Sequence, residues 1–373
     1  MRWFPLAAAT LVALPGAAAA APELVVDLGT GRVLHAHQAQ ASWHPASLTK
    51  LMTAYVALRA VAAGELAWDS PVTLSSVAVR APPSRTGLPA GTRLALSDAL
   101  RVLMVKSAND VAVAVAEAVS GETAPFVARM NAEAARLGMG ATRWTNPHGL
   151  HDPSQVTTAR DVAVLAGAIR REFPQADPLF SIPAVLLNGV RMPNHNKAVG
   201  RVAGIDGMKT GYVCASGFNV VTTAVRDGRR VAVVLLGRDS PLERDARASL
   251  LADAALRTRS EGIGSLADLA GAATGSPPRR GCGRRESDED AGGIVPRAAM
   301  DAWVRAFAAL PSAASTPVAI TLLPPAIASA PAVPAAVSPA LARTVPARFE
   351  PSPVEAVAPA AAAIARSAPP RRF

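Results

Sequence analysis

The spacing of apolar residues divides the chain into two β-rich stretches with a helical stretch between them. Residues 24–27 and 32–35 are short apolar runs separated by a Gly-Thr-Gly turn, and they predict a β-hairpin. Residues 218–225 and 230–236 predict a second hairpin, because both runs are apolar or β-branched and Asp227-Gly228 between them favours a tight turn. Strands at both ends of one region predict a single antiparallel sheet built from N- and C-terminal parts.

Helical spacing fills the stretch between the two hairpins. A first helix is expected from near Pro45 to Gly64, because proline suits the first turn of a helix and glycine commonly follows its end. Further helices are predicted at residues 99–104, 110–119, 124–137, 157–169 and 243–256. The predicted fold class is therefore α+β, an antiparallel sheet flanked by helices with an all-helical subdomain.

The N-terminus has the pattern of a secretory signal peptide. Met1-Arg2 gives a positive start, residues 3–14 are apolar, and Ala18 and Ala20 fit the small-x-small cleavage pattern. We therefore expect residues 1–20 to be a signal peptide, with export to the periplasm or cell envelope. An uncleaved membrane anchor is the competing interpretation, but the apolar run is shorter than the roughly 20 residues that a spanning helix needs.

The C-terminal third differs in composition from the middle of the chain. Residues 261–373 are rich in Ala and Pro with little periodicity, which is typical of a mostly disordered tail. A short helix near 300–310 is the exception, because four apolar residues share one face there: Trp303, Val304, Phe307 and Leu310. The catalytic domain is accordingly expected at 21–260.

Composition narrows the class of partner. The formal charge is +10, and a basic surface favours anionic polymers such as nucleic acid, acidic lipids or cell-wall material. The sequence shows neither a concentrated Lys/Arg helix nor interleaved aromatic residues, so no nucleic-acid partner is expected. Cys214 and Cys282 are the two cysteines, and because Cys282 lies in a Gly/Arg-rich stretch, no structural disulfide is expected.

Three short motifs carry the candidate chemistry: Ser47-Leu48-Thr49-Lys50, Ser107-Ala108-Asn109 and Lys209-Thr210-Gly211. Each motif alone is common, and its ordinary interpretation is a helix cap, a solvated charge or a turn. Together, in this order, they match the S-x-x-K, S-x-N and K-T-G set of serine acyl-transferases that act on D-alanyl peptides and β-lactams.

The residue types of the first two motifs suit nucleophilic catalysis. Serine needs a neighbouring base, and residues three apart on a helix are neighbours, so Lys50 is the candidate base for the nucleophile Ser47. Burial and a second cation, Lys209, would both favour the neutral form of Lys50. The Ser107 hydroxyl would relay a proton to the leaving amine, and the Asn109 amide would hold Lys50 and the substrate carbonyl.

The third motif suits substrate binding. Lys209 and Thr210 are candidates for holding a terminal carboxylate, and Gly211 would let a substrate backbone lie close along a strand. The backbone N–H groups of Tyr212 and Ser47 would complete an oxyanion hole.

Residues 23–257 resemble the serine-type D-alanyl-D-alanine carboxypeptidases, the low-molecular-mass penicillin-binding proteins. Besides the three motifs, the resemblance is carried by further blocks: Asn194-His195-Asn196, Asp206-Gly207-Met208 and Ala215-Ser216-Gly217-Phe218-Asn219. It implies a penicillin-binding/β-lactamase-like transpeptidase fold and removal of the terminal D-alanine from peptidoglycan stem pentapeptides through a Ser47 acyl-enzyme. It also implies covalent inhibition by β-lactams and a part in cell-wall biogenesis and cell shape.

The resemblance further implies an arginine after the last strand that assists carboxylate binding. Arg244 is the closest match, and Arg238 is the alternative. The β-rich second domain and amphipathic anchor of some family members are not visible, so peripheral membrane association is left open. The family implies no cofactor.

Other functions remain in view. A D,D-endopeptidase would share every motif, whereas a class A-like β-lactamase would need a general-base Glu for which Asp152 is a weak substitute. A metallopeptidase is suggested by two histidine pairs, His35-x-His37 and His148-x-x-His151. Neither pair has the spacing and the carboxylate neighbours of a zinc site, so we interpret both as surface or loop histidines and predict no metal. A non-catalytic cell-wall-binding protein is disfavoured by the intact Ser47 and Lys50.

Overall fold

The structure, a computed structural model, describes residues 21–258, 262–269, 271–277, 282, 297–311 and 315–325. Seven α-helices and eleven β-strands lie in this part of the chain. In chain order they are β1 (Glu23–Asp27), β2 (Val33–His37), α1 (Thr49–Ala62), β3 (Pro71–Thr73), β4 (Arg93–Ala95), α2 (Leu96–Val105), α3 (Asn109–Ser120), α4 (Thr123–Arg136), α5 (Ala159–Glu172), β5 (Ala184–Leu187), β6 (Val190–Pro193), β7 (Ile205–Val213), β8 (Gly217–Arg226), β9 (Arg229–Arg238), α6 (Pro241–Arg257), α7 (Arg297–Ala309), β10 (Val318–Ile320) and β11 (Leu322–Leu323).

A five-stranded antiparallel sheet forms the centre of the fold, with strand order β2-β1-β9-β8-β7. The N-terminal β1 pairs with the C-terminal β9, so that Glu23 lies opposite Leu235 and Asp27 opposite Val231. The predicted sheet built from both ends of one region is therefore confirmed. Strand β7, which carries the third motif, is an outer strand of this sheet.

Helices cover both faces of the sheet and create two apolar cores. On one face, α5 and the helices α1 to α4 bury a large cluster that includes Trp43, Tyr55 and Phe180. On the other face, α6 packs against β8 and β9. Neighbouring residues of β8 serve different cores, Val221 the first and Val220 the second, because successive side chains of a strand point to opposite faces. The predicted α+β class is confirmed.

Most predicted elements are found with their ends shifted by a few residues. The helix expected from Pro45 begins with a 3₁₀ turn, Ala46–Leu48, before α1. The sequence does not predict β3 to β6, because strands of three or four residues give little periodicity. The third motif, which the sequence analysis places along a strand, lies inside the nine-residue β7.

The described part of the C-terminal third contains one helix and two short strands, and the sequence analysis predicts the helix but misses the strands at residues 318–323. Helix α7 confirms the short helix expected near 300–310 and packs against α6, with Phe307 only 1% exposed. The Arg201 guanidinium donates to the carbonyl oxygens of Phe307 and Leu310 at 3.1 and 2.5 Å, and it lies over the Phe307 ring. This part of the chain therefore belongs to the folded body.

Residues 318–323 add an outer strand to each of two small sheets. Strand β10 pairs in parallel with β5, and β11 pairs antiparallel to β4. Between them, the Thr321 N–H donates to Asp98 Oδ2 in the first turn of α2 at 3.1 Å. The segment 318–323 thus joins the β3–β4 hairpin, the β5–β6 hairpin and α2.

The expectation that no structural disulfide forms is also wrong. Cys214, in the turn between β7 and β8, is bonded to Cys282, with their Cα atoms 4.7 Å apart. On the way to Cys282, Thr274 exchanges backbone hydrogen bonds with Gln40 and Ser42. The chain after α6 therefore returns along the segment that precedes the first motif and is anchored at one end of β7. Composition alone did not reveal this bond because the two cysteines are 68 residues apart in sequence.

No helix in the described part of the chain has by itself both the length and the apolar composition to cross a membrane. Helices α3 and α4 have both only when taken together, and they are bent by 84° where they meet.

Candidate active site

The candidate nucleophile Ser47 lies in the tight turn that leads into α1. Ala46 before it has left-handed backbone, with φ of +48°, and the Thr49 hydroxyl donates to the Ala46 carbonyl oxygen at 2.8 Å. A non-glycine residue keeps such a conformation only where its surroundings hold it. The surrounding contacts therefore hold the turn in this conformation, and Ser47 is half-buried at the N-terminal end of the helix.

The Lys50 amine lies beside this hydroxyl. Its Nζ is 3.0 Å from Ser47 Oγ, 2.7 Å from Asn109 Oδ1 and 2.5 Å from the His148 carbonyl oxygen. The side chain is fully buried. Burial, and after it the positive charge of Lys209, lowers the pKa of Lys50 well below its ordinary value of 10.5. The structure thus brings the predicted nucleophile and base together and favours the neutral amine.

The second motif lies on the other side of Lys50. Asn109 is the first residue of α3 rather than the last of a loop, and while its oxygen accepts from Lys50, its Nδ2 donates to the Pro82 carbonyl at 2.8 Å. Ser107 has a φ of +61°, and its hydroxyl accepts a hydrogen bond from Lys209 Nζ at 2.8 Å. These two side chains therefore connect the first motif to the third.

Strand β7 carries the third motif from the interior to the surface. Lys209 is 1% exposed, and its Nζ donates to Ser107 Oγ and to the Thr210 carbonyl. Thr210 is buried, whereas Tyr212 is 49% exposed and its ring stacks on Phe218 with centroids 4.3 Å apart. The predicted binding residues thus lie in a row that ends at solvent.

Gly211 lies tightly against the nucleophile turn. A Cβ at this position would lie 3.0 Å from both the Pro45 carbonyl oxygen and the Ser47 nitrogen, and 3.2 Å from the Ala46 Cβ. The sequence analysis assigned this glycine to the close approach of a substrate backbone. In the structure, the protein's own turn makes the close approach, which fixes the nucleophile against β7.

Positive charge is concentrated around the third motif. Burial, and next the charge of Arg244, lowers the pKa of Lys209 to about 7. Burial, followed by surrounding cations of which Lys209 acts most strongly, lowers the pKa of His195 to about 3. A site in which burial and neighbouring cations together push two ionisable groups towards neutrality is suited to an anionic group of a ligand.

The two arginines considered for carboxylate binding have different surroundings. The Arg244 guanidinium pairs with Asp245 at 2.8 Å and donates to the His195 carbonyl at 3.2 Å, and its charge acts on the third-motif lysine. Arg238 is paired with Glu23 at 3.2 Å. Glu23 is buried, which alone would raise its pKa, but hydrogen bonds from His35 and Arg247 and two arginine charges hold the pKa at about 2. The geometry thus favours Arg244 as the candidate.

Two groups at the site received no role in the sequence analysis. The backbone carbonyl of His148 accepts from Lys50, so this loop histidine contacts the site through its main chain. The Asp110 carboxylate accepts from the N–H and the hydroxyl of Thr86 at 2.8 and 2.6 Å, which ties the loop after Pro82 to α3. A carbonyl has no sequence signature, whereas Asp110 directly follows the second motif and could have been noticed.

The histidine pairs do not form a metal site. His35 and His37 lie on β2, and His35 faces Glu23 at 3.2 Å. Within the described ranges, no three His, Cys, Asp or Glu side chains come together in a way that could hold a metal ion.

Comparison with known sequences identifies the family of this chain. A family model for D-alanyl-D-alanine carboxypeptidase, peptidase S11, matches residues 9–240. The chain is 36% identical over 251 residues to the D-alanyl-D-alanine carboxypeptidase DacD from Salmonella typhimurium, which covers 64% of this chain and 63% of that protein. The chain thus aligns with less than two thirds of that relative's length.

Solved structures share the fold. Penicillin binding protein 5 from Haemophilus influenzae superposes with a TM-score of 0.62 at 31% identity, covering 66% of this chain and 73% of that one. Penicillin-binding protein D2 from Listeria monocytogenes, solved in its cefotaxime-bound form, gives a TM-score of 0.58 at 27% identity, covering 66% and 100%. These similarities confirm the penicillin-binding type of fold expected from the motifs.

Proposed function

Because the chain belongs to the D-alanyl-D-alanine carboxypeptidase family, we propose that it removes the terminal D-alanine from peptidoglycan stem pentapeptides through an ester on Ser47. The observation that carries this proposal is the 3.0 Å contact between the Ser47 hydroxyl and the fully buried Lys50 amine. A serine hydroxyl is a weak nucleophile at neutral pH and is activated by an adjacent base.

The surroundings of Lys50 support its role as this base. A neutral amine has two N–H groups and one lone pair. The Asn109 amide oxygen and the His148 carbonyl oxygen, at 2.7 and 2.5 Å, can only accept, so they take the two N–H groups. The lone pair is then left for the Ser47 hydroxyl, whose proton it accepts as the oxygen attacks the substrate.

The remaining groups suit the steps of acyl transfer. Ser47 Oγ bonds to the carbonyl carbon of the penultimate D-alanine, the peptide bond breaks, and terminal D-alanine leaves with a proton. Ser107 is the proposed relay for that proton, a role that its 2.8 Å hydrogen bond from Lys209 supports. The N–H groups of Ser47 and Tyr212 are the proposed donors to the oxyanion. Water then hydrolyses the ester and restores the serine.

The carboxylate of the substrate is assigned to β7. Lys209 and Thr210 would bind it, and the charge of Arg244 adds to the attraction. A β-lactam carries both a carboxylate and a reactive acyl bond, so we expect it to enter the same site and acylate Ser47. The Listeria relative solved with cefotaxime supports this expectation.

We place this activity in the periplasm or cell envelope. Two features support the location: the signal-peptide pattern at residues 1–20, which lie outside the described residues, and the disulfide between Cys214 and Cys282. Disulfides persist mainly in oxidising compartments.

Labelling with a penicillin tests the nucleophile. Intact mass should show one covalent adduct per chain, and peptide mapping should locate the adduct on Ser47. Ser47→Ala, which removes only the hydroxyl oxygen, should take no label while its thermal unfolding stays close to that of the wild type. A label on another residue, or folded wild-type protein without any label, would contradict the proposal.

Product analysis tests the reaction itself. Release of D-alanine from a pentapeptide is the expected result. Preferential cleavage of a cross-linked peptide dimer would indicate a D,D-endopeptidase, and rapid penicillin hydrolysis would indicate a β-lactamase. Stable labelling of Ser47 without turnover of either peptide would indicate a non-catalytic cell-wall-binding protein.

A further inference from the structure

A buried asparagine joins the nucleophile turn to the central sheet. Asn219 lies on β8 opposite Gly211 of β7 and is fully buried. Its Nδ2 donates to the carbonyl oxygens of His44 and Pro45 at 3.0 and 3.2 Å. Its Oδ1 accepts the Gly237 backbone N–H at 2.8 Å. Both amide hydrogens and the amide oxygen are therefore used.

The orientation of this amide is fixed by its partners. A backbone N–H can only donate, so the atom that faces Gly237 must be the oxygen, and the NH₂ group must face the two carbonyls. The pairing of β8 with β9 shifts register between Phe218 and Val220, which puts Asn219 at a bulge. There its side-chain oxygen accepts the Gly237 N–H on β9.

The Pro45 carbonyl links this asparagine to the nucleophile. The same oxygen accepts the Leu48 N–H at 3.2 Å and so closes the turn around Ser47. From the other side, Gly211 approaches so closely that a Cβ there would lie only 3.0 Å from the Pro45 oxygen and the Ser47 nitrogen. Asn219 therefore holds the turn against β7 from the neighbouring strand.

We propose that Asn219 is a positioning residue that sets the separation between the two oxyanion donors, the N–H groups of Ser47 and Tyr212. This inference deepens the proposed function and rests on it. The Ser47 donor lies on the turn that Asn219 holds, and the Tyr212 donor follows Gly211, the residue paired with Asn219. Donors to a developing oxyanion act only when they are placed accurately and in advance.

Acylation kinetics with a fluorescent penicillin test this role. Stopped-flow traces give a dissociation constant for the non-covalent complex and a limiting rate constant for acylation. Asn219→Ala should lower the rate constant about 10²-fold, the effect of an ångström-scale misplacement. The dissociation constant should stay unchanged, because the carboxylate-binding residues of β7 and Arg244 are untouched.

Two further variants separate positioning from folding. Asn219→Asp keeps an acceptor for Gly237 but turns an oxygen towards the two carbonyls, so it should lose as much rate as the alanine variant. Val220→Ala is the matched control, since this neighbour is equally buried but packs against α6 on the other face of β8. It should lower the thermal-unfolding midpoint without lowering the acylation rate constant. Asn219→Ser, whose hydroxyl can still accept from Gly237, replaces the alanine variant if that does not fold.

The outcomes distinguish this inference from the function on which it rests. Wild-type acylation rates in folded Asn219→Ala or Asn219→Asp would overturn the inference and leave the proposed function intact. An equal loss of acylation rate in Val220→Ala would also overturn it, because any disturbance of β8 would then be enough to slow acylation. Wild-type protein that takes no label would refute the proposed function and the inference together.

Discussion

The buried Lys209 makes the stability of the fold depend on pH in a measurable way. Burial and the charge of Arg244 lower its pKa to about 7, against an ordinary value of 10.5. Between these two pH values the unfolded chain binds a proton that the folded chain lacks, so the free energy of unfolding rises with pH. Well below pH 7, Lys209 is protonated in both the folded and the unfolded chain, and the full cost of burying its charge lowers the stability of the fold.

Lys209→Met removes this titration and keeps a side chain of similar length. One pKa unit corresponds to about 1.4 kcal/mol. Between pH 7, where the folded lysine is half protonated, and pH 9, the lysine protein should gain about 2 kcal/mol in free energy of unfolding relative to the methionine variant. The comparison between two pH values cancels pH-independent effects of the substitution, including changes in packing.

Urea unfolding at constant ionic strength gives these free energies. Because the charge of Lys209 also lowers the pKa of Lys50, both proteins carry Lys50→Met, so that they differ in one titrating lysine. A stability difference that does not change with pH would refute the lowered pKa. A stability difference that falls as the pH rises would show that the folded protein stabilises the Lys209 cation, and the site would then not be the cation-rich environment described above.

Three further predictions test other parts of the structure. Gly211→Ala, whose Cβ would lie 3.0 Å from the Ser47 nitrogen, should slow penicillin acylation about 10²-fold in stopped-flow measurements, and an unchanged rate would show that the turn can move away. Cys282→Ser, which breaks a link to Cys214 across 68 residues, should lower the free energy of unfolding by about 2–4 kcal/mol in urea, whereas equal stability would exclude the disulfide. Phe307→Ala should lower the free energy of unfolding by about 3–5 kcal/mol by the same measurement, and a neutral effect would mean that α7 does not pack against α6.

The sequence predicts well what local signals determine. Asp227-Gly228 marks the β8–β9 hairpin, and the start of α5 is visible because the Thr158 side chain accepts the Asp161 N–H as a helix cap. Ser47 and Lys50 are likewise neighbours by helical spacing alone. These features depend on residues that are close in the chain, so one sequence is enough to find them.

Features that depend on distant partners are predicted poorly. The pairing of Cys282 with Cys214, and the side-chain contacts of Asn219 with the turn before Ser47, join residues far apart in sequence. The His148 carbonyl that receives Lys50 is a main-chain group, which any residue type could supply. The motifs therefore indicate the candidate side chains, and the fold decides what holds them in place.

The pairing of β10 with β5 and of β11 with β4 has a consequence for the order of assembly. All three catalytic motifs are synthesised well before residues 318–323, and until that segment arrives, β5 and β4 each present a bare strand edge. Bare edges recruit other chains. A nascent or prematurely terminated product would therefore carry all three motifs and still expose strand edges that attract other chains, so residues 318–323 cover these two edges late in synthesis.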